Sequence, residues 1–222
     1  MSIDLTKEYI CLDNLNLYDS PEFLKLATQV AKTRHLVLLE HSQDYARVRL
    51  CEDDYKGYLA SRDFNKIKES TKPYKAVVIQ RAQIEKHLLE VINFTQLASK
   101  QDNYYLWGGT VGPNYDCSGL IQAAFASVGI WLPRDSYQQE EFARKITKEQ
   151  LIAGDLIFFG SPRINHVALY LGYGSYIHSS GGRNRIEIDQ LSDNGDEVSQ
   201  KYYSQIVSYG RIEQSYQPTS LT

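Results

Sequence analysis

The chain has 222 residues, of which 42% are hydrophobic and 23% are charged, a composition typical of a folded globular protein and not of a disordered one. Its 24 Lys and Arg residues against 27 Asp and Glu residues give a formal net charge of −3, which favours neither nucleic acid nor an anionic membrane as a partner. No window is apolar over the length of a membrane span, so the sequence predicts no membrane contact.

The N-terminus has acidic residues early and no apolar stretch long enough for a signal peptide. The three cysteines, Cys11, Cys51 and Cys117, form an odd set without the spacing of a disulfide framework. Both observations predict a protein that is made and kept in the reducing cytoplasm.

The first part of the chain predicts a small all-β barrel, because short runs of strand-forming residues are separated by Asn, Asp, Ser and Gly. Residues 23–34 are less strand-like and predict a helical insertion or a loop. A tight turn follows Asp53-Asp54 and leads into a closing strand, and residues 63–74 predict a polar connector. The predicted strands cover residues 9–12, 15–18, 35–40, 45–50 and 58–59.

Helices dominate the next part of the chain. Apolar residues recur at helical spacing over residues 84–99, a second helix should begin near Cys117, and a third is suggested at residues 136–144. The order of elements changes after that point from helices to strands. We therefore predict an α+β domain in which the second helix packs on an antiparallel sheet, with the chain divided into residues 1–75 and 76–222.

The strands of this second unit should begin with a buried run at residues 154–159. Two further strands contain His166 and His178 and are separated by Gly172-Tyr173-Gly174, which predicts a hairpin. A polar loop at residues 193–196 and a last strand at residues 206–212 complete the predicted sheet.

A single cysteine stands where the second helix should begin. Asp116-Cys117-Ser118-Gly119 comes directly before the apolar stretch at residues 120–128. Unpaired N–H groups and a positive partial charge at a helix start favour thiolate over thiol, so a cysteine at this position can act as a nucleophile. The alternative is a small inert hydrophobic residue, which is the commoner role of an isolated buried cysteine.

The predicted hairpin would bring two histidines close to each other. His166 could accept the proton of Cys117, and His178 could hold the ring of His166 in the required tautomer. The same residue types could bind zinc, but the chain has no CxxC, no HxxxH and no fourth ligand of the usual kind nearby. The combination with Cys-Ser-Gly at a helix start favours a catalytic triad, and we predict neither a metal nor a cofactor.

Five motifs of the second unit resemble those of the NlpC/P60 cysteine peptidases, which cleave cell-wall peptides. The resemblance covers residues 84 to about 212 and implies a papain-like domain in which Cys117 is the nucleophile, His166 its base and His178 the orienting residue. The N-terminal unit resembles a bacterial SH3-like (SH3b) barrel. The motifs are Tyr105-Leu106-Trp107-Gly108-Gly109, Asp116-Cys117-Ser118-Gly119, Gly154-Asp155-Leu156-Ile157-Phe158-Phe159, His166-Val167-Ala168-Leu169-Tyr170-Leu171-Gly172 and Tyr176-Ile177-His178-Ser179.

The combination of two such units is similar to bacterial, notably cyanobacterial, enzymes that cut γ-D-glutamyl-L-diamino acid bonds in murein peptides with a free N-terminal L-alanine. In those enzymes an Asp-Ser pair after the nucleophile helix lines the site, and Asp135-Ser136 matches that pair here. The resemblance implies that Asp135 binds the substrate's amino group and that Ser136 supports a backbone contact. From the residues alone, Asp135 is about equally expected to cap a helix.

Other site residues follow from the same resemblance. The hydroxyl of Tyr105 could stabilise an oxyanion together with the backbone N–H of Cys117, and Tyr55 is implied as a contribution of the barrel to the pocket. Asp116 and Ser118 could bind polar groups of the substrate; Asp116 is equally expected to be a helix N-cap, and it should point away from the sulfur. A barrel carboxylate near the amine is also implied, with four candidates: Glu40, Glu52, Asp53 and Asp54.

The sequence therefore predicts a cysteine endopeptidase that hydrolyses the γ-D-glutamyl-L-diamino acid (diaminopimelate) bond. Its expected partner is a murein tripeptide or tetrapeptide with a free N-terminal L-Ala, and its expected role is murein-peptide turnover and recycling. Two alternatives stay open: another thiol amidase or acyltransferase on the same scaffold, and a non-catalytic module that binds murein peptides.

Overall fold

Two large antiparallel sheets organise the chain, one in each half. The structure is a computed structural model, and it describes residues 4–219. Residues 1–3, which begin the segment considered for a signal peptide, lie outside the described residues. Within residues 4–219, no helix combines the length and the apolar character that crossing a membrane requires.

The N-terminal sheet has seven strands in the order β3-β2-β6-β5-β4-β1-β7. Buried and more exposed residues alternate along β2 and β5, which directs one face of each strand into a common core. The SH3-like, sheet-rich fold predicted for this half is confirmed. The strands are β1 (Glu8–Cys11), β2 (Leu15–Tyr18), β3 (Leu26–Val30), β4 (His35–His41), β5 (Tyr45–Leu50), β6 (Lys56–Ala60) and β7 (Ile67–Glu69).

Two segments of this half differ from the sequence prediction. The helical insertion or loop predicted at residues 23–34 is wrong, because residues 26–30 form β3, which pairs with β2 and buries Thr28 and Val30. The predicted connector at residues 63–74 contains a 3₁₀ helix, Ser61–Lys66, followed by β7. Ile67 is buried in the barrel core, and pairing with β1 decides the conformation of a segment whose own strand signal is weak.

The second half has four helices and a six-stranded sheet in the order β10-β15-β11-β12-β13-β14, with a small two-stranded sheet beside them. The helices are α1 (Arg81–Ser99), α2 (Cys117–Ala126), α3 (Ser136–Phe142) and α4 (Glu197–Ser204). The strands are β8 (Thr110–Val111), β9 (Asn114–Tyr115), β10 (Arg144–Ile146), β11 (Leu156–Gly160), β12 (Ile164–Gly172), β13 (Ser175–Ser180), β14 (Arg185–Gln190) and β15 (Ile206–Arg211).

Helix α2 packs against the large sheet through contacts with β12 and β13. Leu120 and Phe125 of this helix are fully buried in one cluster with Val167 and Leu169 of β12. The helix is enclosed by the core on most of its surface, which explains its apolar, small-residue sequence. The predicted α+β fold with helices and an antiparallel sheet is confirmed.

The sequence prediction of the second half missed the short strands β8, β9 and β10, strand β14 and helix α4. Strand β14 pairs with β13 along its whole length, and α4 follows the predicted polar loop at residues 193–196. Asp196 begins this helix, since its side chain accepts a hydrogen bond from the backbone N–H of Ser199 at 3.0 Å. The third helix also ends earlier than predicted, at Phe142, and the chain continues into β10.

Buried hydrogen bonds join the barrel to the second half. Arg134 Nε donates to Thr28 Oγ1 at 2.8 Å, and Gln122 Nε2 donates to Asp53 Oδ2 at 2.9 Å. Both contacts connect the barrel to residues in or near the helix that carries Cys117. The division at residues 75 and 76 stays a prediction; it falls between the end of β7 and the start of α1.

Candidate active site

Cys117 is the first residue of α2, and the preceding aspartate holds the helix start in place. The Asp116 carboxylate accepts hydrogen bonds from the backbone N–H of Gly119 at 2.7 Å and of Gly108 at 2.8 Å. It therefore acts as the N-cap and at the same time binds the loop before the helix. Cys117 is only 4% exposed.

Two glycines of separate motifs explain how this loop approaches the helix. A Cβ atom added to Gly119 would lie 1.9 Å from the carbonyl oxygen of Gly109, which is far inside van der Waals contact. The same carbonyl accepts a hydrogen bond from the Asp116 N–H at 3.1 Å. Gly119 is therefore required by close backbone packing.

The sulfur of Cys117 lies in a buried environment with several donors. Burial, and next the Asp116 carboxylate, raise the pKa of the thiol to about 12. The backbone N–H groups of Val167 and Ser118 and the hydroxyl of Tyr105 oppose this shift. The helix start does favour the thiolate, as expected, but burial outweighs it; the three donors can stabilise a thiolate once a base removes the proton.

His166 lies on β12 next to this sulfur. Cys117 Sγ is 3.9 Å from the carbonyl oxygen of Asn165, and the backbone N–H of Val167 is also directed at the thiol, so the sulfur contacts the backbone on both sides of His166. Burial, and next the neighbouring His178, hold the pKa of His166 well below its usual value. A neutral imidazole is the form that can accept a proton.

The register of the hairpin brings the two histidines together. Leu169 of β12 pairs with Ile177 of β13, which makes His166 and His178 diagonal neighbours on one face. His166 Nε2 lies 2.7 Å from His178 Nδ1. The predicted hairpin turn at residues 172–174 is present, and all three of its residues have positive φ.

A carboxylate of β14 extends this pair to a chain of three groups. His178 Nε2 lies 3.3 Å from Asp189 Oδ2, and Asp189 Oδ1 accepts a hydrogen bond from Ser199 Oγ at 2.7 Å. Burial raises the pKa of Asp189, but the hydrogen bonds from His178 and Ser199 together bring it below its usual value, so the group is a carboxylate.

The carboxylate decides the tautomers along the chain. Because Asp189 can only accept, this arrangement suits the His178 tautomer that carries its proton on Nε2 and presents the lone pair of Nδ1 to His166. His166 then carries its proton on Nε2, which leaves the lone pair of its Nδ1 available. This is the nitrogen that can take a proton from a thiol.

The residues that could hold a metal ion are not the set Cys117, His166 and His178 that the sequence analysis considered for zinc. Among residues 4–219, His178, Glu187 and Asp189 offer ligand atoms within 4.8 Å of one another, and neither Cys117 nor His166 belongs to this group. Arg183 Nε lies 2.6 Å from Glu187 Oε1, so a guanidinium already supplies positive charge at this position. The group is better explained as an ion-pair network than as a cation site.

Cys117 opens into a cavity of about 310 Å³ between the barrel and the second half, which we call the thiol cavity. Its wall combines residues of α2, of the loop before α3 and of the barrel. It brings together all of the predicted site residues except the two histidines: Tyr55, Tyr105, Asp116, Cys117, Ser118, Asp135 and Ser136.

Asp135 caps a helix and also lies on the wall of the thiol cavity, while its binding of a substrate amine stays a prediction. It is the N-cap of α3, and a capping box joins it to Gln138, whose Oε1 accepts from the Asp135 N–H at 3.1 Å. It also lines the thiol cavity. Burial raises the pKa of its carboxyl group; the Arg134 guanidinium acts in the opposite direction, and the carboxylates of Asp116 and Asp53 add to the rise.

Asp116 and Ser118 line the cavity with side chains that are already bound within the protein. Arg134 Nη2 and Nη1 lie 2.6 and 3.1 Å from the two Asp116 carboxylate oxygens, and Nη1 also donates to Ser118 Oγ at 3.0 Å. The carboxylate thus faces a guanidinium, although its charge still raises the pKa of Cys117. A direct substrate contact of either side chain stays a prediction.

The barrel contributes Tyr55 and a carboxylate that the sequence reasoning missed. Burial, and next the nearby Asp135 carboxylate, raise the pKa of Tyr55. Asp19 is the barrel carboxylate on the cavity wall, and Lys25 lines the same wall with its ammonium 5.0 Å from the ring centre of Trp107. The four barrel carboxylates suggested from the sequence do not line this cavity: Glu40, Glu52, Asp53 and Asp54.

Comparison with known proteins finds a family match in each half of the chain. Residues 102–207 match the NlpC/P60 family, and residues 17–64 match the bacterial dipeptidyl-peptidase SH3 domain. The chain therefore contains an NlpC/P60 cysteine peptidase domain and an SH3 domain before it. Cys117, His166 and His178 all lie within the matched NlpC/P60 segment.

Curated relatives match part of the chain. The gamma-D-glutamyl-L-lysine dipeptidyl-peptidase of Bacillus cereus is 42% identical over 95 residues, which are 41% of this chain and 28% of that protein. The bifunctional muramidase/DL-endopeptidase CwlT of Bacillus subtilis is 37% identical over 113 residues, which are 49% of this chain and 32% of that protein. The chain thus spans about a third or less of these two relatives.

A solved structure matches both halves. An NlpC/P60 family protein from Bacillus cereus aligns with a TM-score of 0.50 and 26% identity over 93% of this chain and 64% of that one. The coverage includes the barrel as well as the NlpC/P60 domain. The order of the two units is therefore shared with a known NlpC/P60 protein.

The sequence of the NlpC/P60 domain could have revealed the carboxylates of β14. Residues 185–190 alternate charged or polar residues with Ile186 and Ile188, which is the pattern of a half-buried strand. A strand there would have placed Glu187 and Asp189 on one face, beside His178.

Proposed function

We propose that this protein is a cysteine endopeptidase that hydrolyses the γ-D-glutamyl-L-diamino acid bond of murein peptides with a free N-terminal L-alanine. The observation that carries the proposal is the position of Asp135, a half-buried carboxylate, in the same cavity as the thiol of Cys117. Two relatives, a gamma-D-glutamyl-L-lysine dipeptidyl-peptidase and a bifunctional muramidase/DL-endopeptidase, support the same substrate class.

The free amine is selected by charge. An ammonium group beside Asp135 forms a charge-assisted hydrogen bond and relieves the repulsion from Asp116 and Asp53. An acylated N-terminus supplies no positive charge and leaves the carboxylate enclosed and unpaired, which is costly. The enzyme should therefore act on peptides whose first residue has been freed from the glycan.

The first half of the reaction forms a thioester. His166 Nδ1 takes the proton of the Cys117 thiol while the sulfur attacks the γ-carbonyl carbon, and the carbonyl oxygen takes the electron pair of the broken π bond. The Cys117 N–H and the hydroxyl of Tyr105 bind this oxyanion. When the intermediate collapses, the C–N bond breaks and the imidazolium gives its proton to the leaving amine.

The second half of the reaction regenerates the thiol. His166 removes a proton from a water molecule, whose oxygen adds to the thioester carbonyl, and the C–S bond then breaks. The imidazolium returns its proton to the sulfur. The products are L-Ala-D-Glu, whose γ-carboxyl group is new, and the free amino acid or peptide that followed.

The barrel shapes the amine end of the site. Tyr55 and Asp19 belong to the wall of the thiol cavity, whose volume of about 310 Å³ suits a short peptide segment. We infer that the barrel narrows the pocket. The cytoplasmic location and the role in murein recycling stay predictions.

Mass spectrometry of a defined peptide tests the proposal. L-Ala-γ-D-Glu-diaminopimelate is incubated with the protein beside an N-acetylated copy, and the Cys117→Ala variant serves as the control. Release of diaminopimelate from the unblocked peptide alone supports both the bond and the amine selection. Cleavage of both peptides removes the role of Asp135, and cleavage of neither overturns the proposed reaction.

A further inference from the structure

A second cavity adjoins the thiol cavity on the side of His166. Its volume is about 530 Å³, and it shares Tyr105 and Asn165 with the thiol cavity. His166 lines this second cavity, whereas Cys117 and Asp135 line the first. The thiol and its neighbouring imidazole therefore stand at the junction of two spaces, each within the size range of small-molecule sites.

The proposed reaction assigns a different part of the substrate to each of the two cavities. Asp135 binds the amine end of the peptide on the thiol side. The group that leaves receives its proton from His166, so it must lie on the His166 side when the C–N bond breaks. The second cavity, which we call the leaving-group cavity, is the space available there.

Two opposite charges on α4 line the leaving-group cavity. Glu197 and Lys201 are both exposed, and as residues four apart they stand on the same face of the helix, separated by about 6 Å along its axis. Within the part of the chain that the structure describes, neither side chain forms an ion pair. Half-buried Val198 and Tyr202 contribute apolar surface to the same wall.

We propose that this cavity binds the diamino acid and that Glu197 and Lys201 recognise its far end. The inference rests on the proposed function and deepens it. Glu197 binds the distal ammonium, Lys201 binds the distal carboxylate, and the methylene groups between them and the scissile bond lie against Val198 and Tyr202. Diaminopimelate carries both distal charges, lysine carries the ammonium alone, and norleucine carries neither. The enzyme should therefore prefer diaminopimelate to lysine, and lysine to norleucine.

Three peptides that differ only in their third residue test this recognition. L-Ala-γ-D-Glu is followed by diaminopimelate, lysine or norleucine, and kcat/KM is measured for each with the wild-type protein and with Glu197→Gln and Lys201→Met. Lys201→Met should lower kcat/KM for the diaminopimelate peptide roughly threefold to tenfold and leave the lysine peptide unchanged. Glu197→Gln should lower kcat/KM for the diaminopimelate and lysine peptides and leave kcat/KM for the norleucine peptide unchanged.

Lys86→Met is the matched control, since Lys86 is exposed on α1 and lines neither cavity. It should leave all three values unchanged, and alkylation of Cys117 confirms that each variant has an intact site. Equal changes for all three peptides, or none, overturn the assignment of Glu197 and Lys201 while the endopeptidase stands. If the wild-type protein cleaves none of the three peptides, the proposed function fails and this inference fails with it.

Discussion

The guanidinium of Arg134 binds both carboxylate oxygens of Asp116, the residue before the cysteine, at 2.6 and 3.1 Å. Arg134 is 1% exposed, and it also donates to Ser118 Oγ and to Thr28 Oγ1 of the barrel. One buried cation thus connects the start of α2 with the barrel and neutralises the carboxylate closest in sequence to the thiol.

Loss of the Arg134 guanidinium should lower the free energy of unfolding and raise the pKa of the Cys117 thiol. Arg134→Met leaves the Asp116 carboxylate buried without a counter-charge, and we expect a loss of about 3–5 kcal/mol in the free energy of unfolding. Denaturant titration measures this loss. The unpaired carboxylate should also raise the pKa of Cys117 further and slow its alkylation at neutral pH.

Exposed Arg163 offers the control, and Arg163→Met should change neither quantity. The double variant Asp116→Asn with Arg134→Met removes both charges and should recover part of the stability. If Arg134→Met alone is as stable as the wild-type protein, the ion pair does not hold the site together.

The thiol and the imidazole should form a neutral pair. Because burial raises the pKa of Cys117 and lowers that of His166, we expect little thiolate absorbance at neutral pH and an alkylation rate that keeps rising with pH. Ultraviolet difference spectra against Cys117→Ala measure the thiolate directly. A strong thiolate signal at neutral pH would contradict the neutral pair and indicate a preformed ion pair.

Activity should depend on both members of that pair. Cys117→Ala and His166→Ala should abolish turnover of the unblocked murein peptide, whereas His178→Gln should reduce it less, because a glutamine side chain can still orient His166. The assay is release of diaminopimelate. Appreciable hydrolysis by Cys117→Ala would rule out the thioester mechanism.

The lowered pKa of His166 predicts how stability depends on pH. An unfolded histidine titrates near 6.5, so below about that pH the unfolded chain binds a proton that the folded His166 rejects. Stability should therefore fall as pH decreases from about 6.5 toward the folded pKa, and the fall should be smaller in His166→Gln. Denaturation curves at several pH values test this, and identical pH dependence in both proteins would contradict it.

Asp189 should act as a positioning residue. Asp189→Ala removes the acceptor that sets the tautomer of His178, and we expect kcat to fall on the order of tenfold with KM nearly unchanged and with a shifted acid limb in the pH profile. Ser199→Ala removes one hydrogen bond to the same carboxylate but keeps its charge, so it should have a much smaller effect. An unchanged pH profile in Asp189→Ala would leave the residue with a structural role only.

The charge of Asp135 can be separated from its role as a helix cap. Asparagine is also a good N-cap, so Asp135→Asn should keep α3 and the stability of the fold while it removes the partner of the substrate's ammonium. We expect kcat/KM for the free-amine peptide to fall tenfold to a hundredfold, and the discrimination against the N-acetylated peptide to shrink. Gln138→Ala disrupts the capping box without touching the charge and should keep that discrimination.

Local patterns were sufficient for the elements that carry the triad. The apolar helix after Cys117 and the hairpin with positive-φ residues at 172–174 are specified by short-range signals, and both form as predicted. Strands β3 and β7 were missed because their conformation depends on pairing with β2 and β1. A short stretch of sequence does not show such pairing with another strand. Strand β14 was missed although its alternating pattern was present.

The sequence alone determined the domain families, the α+β order of elements and the residue types of the candidate site, since motif spacing and periodicity are properties of the chain itself. Tertiary structure decided which charges meet. Asp19 lies on the wall of the thiol cavity, whereas the carboxylates at 52–54 do not, and Arg134 pairs with Asp116. Burial likewise raises the pKa of the Cys117 thiol, because desolvation outweighs the helix start and depends on everything packed around the sulfur.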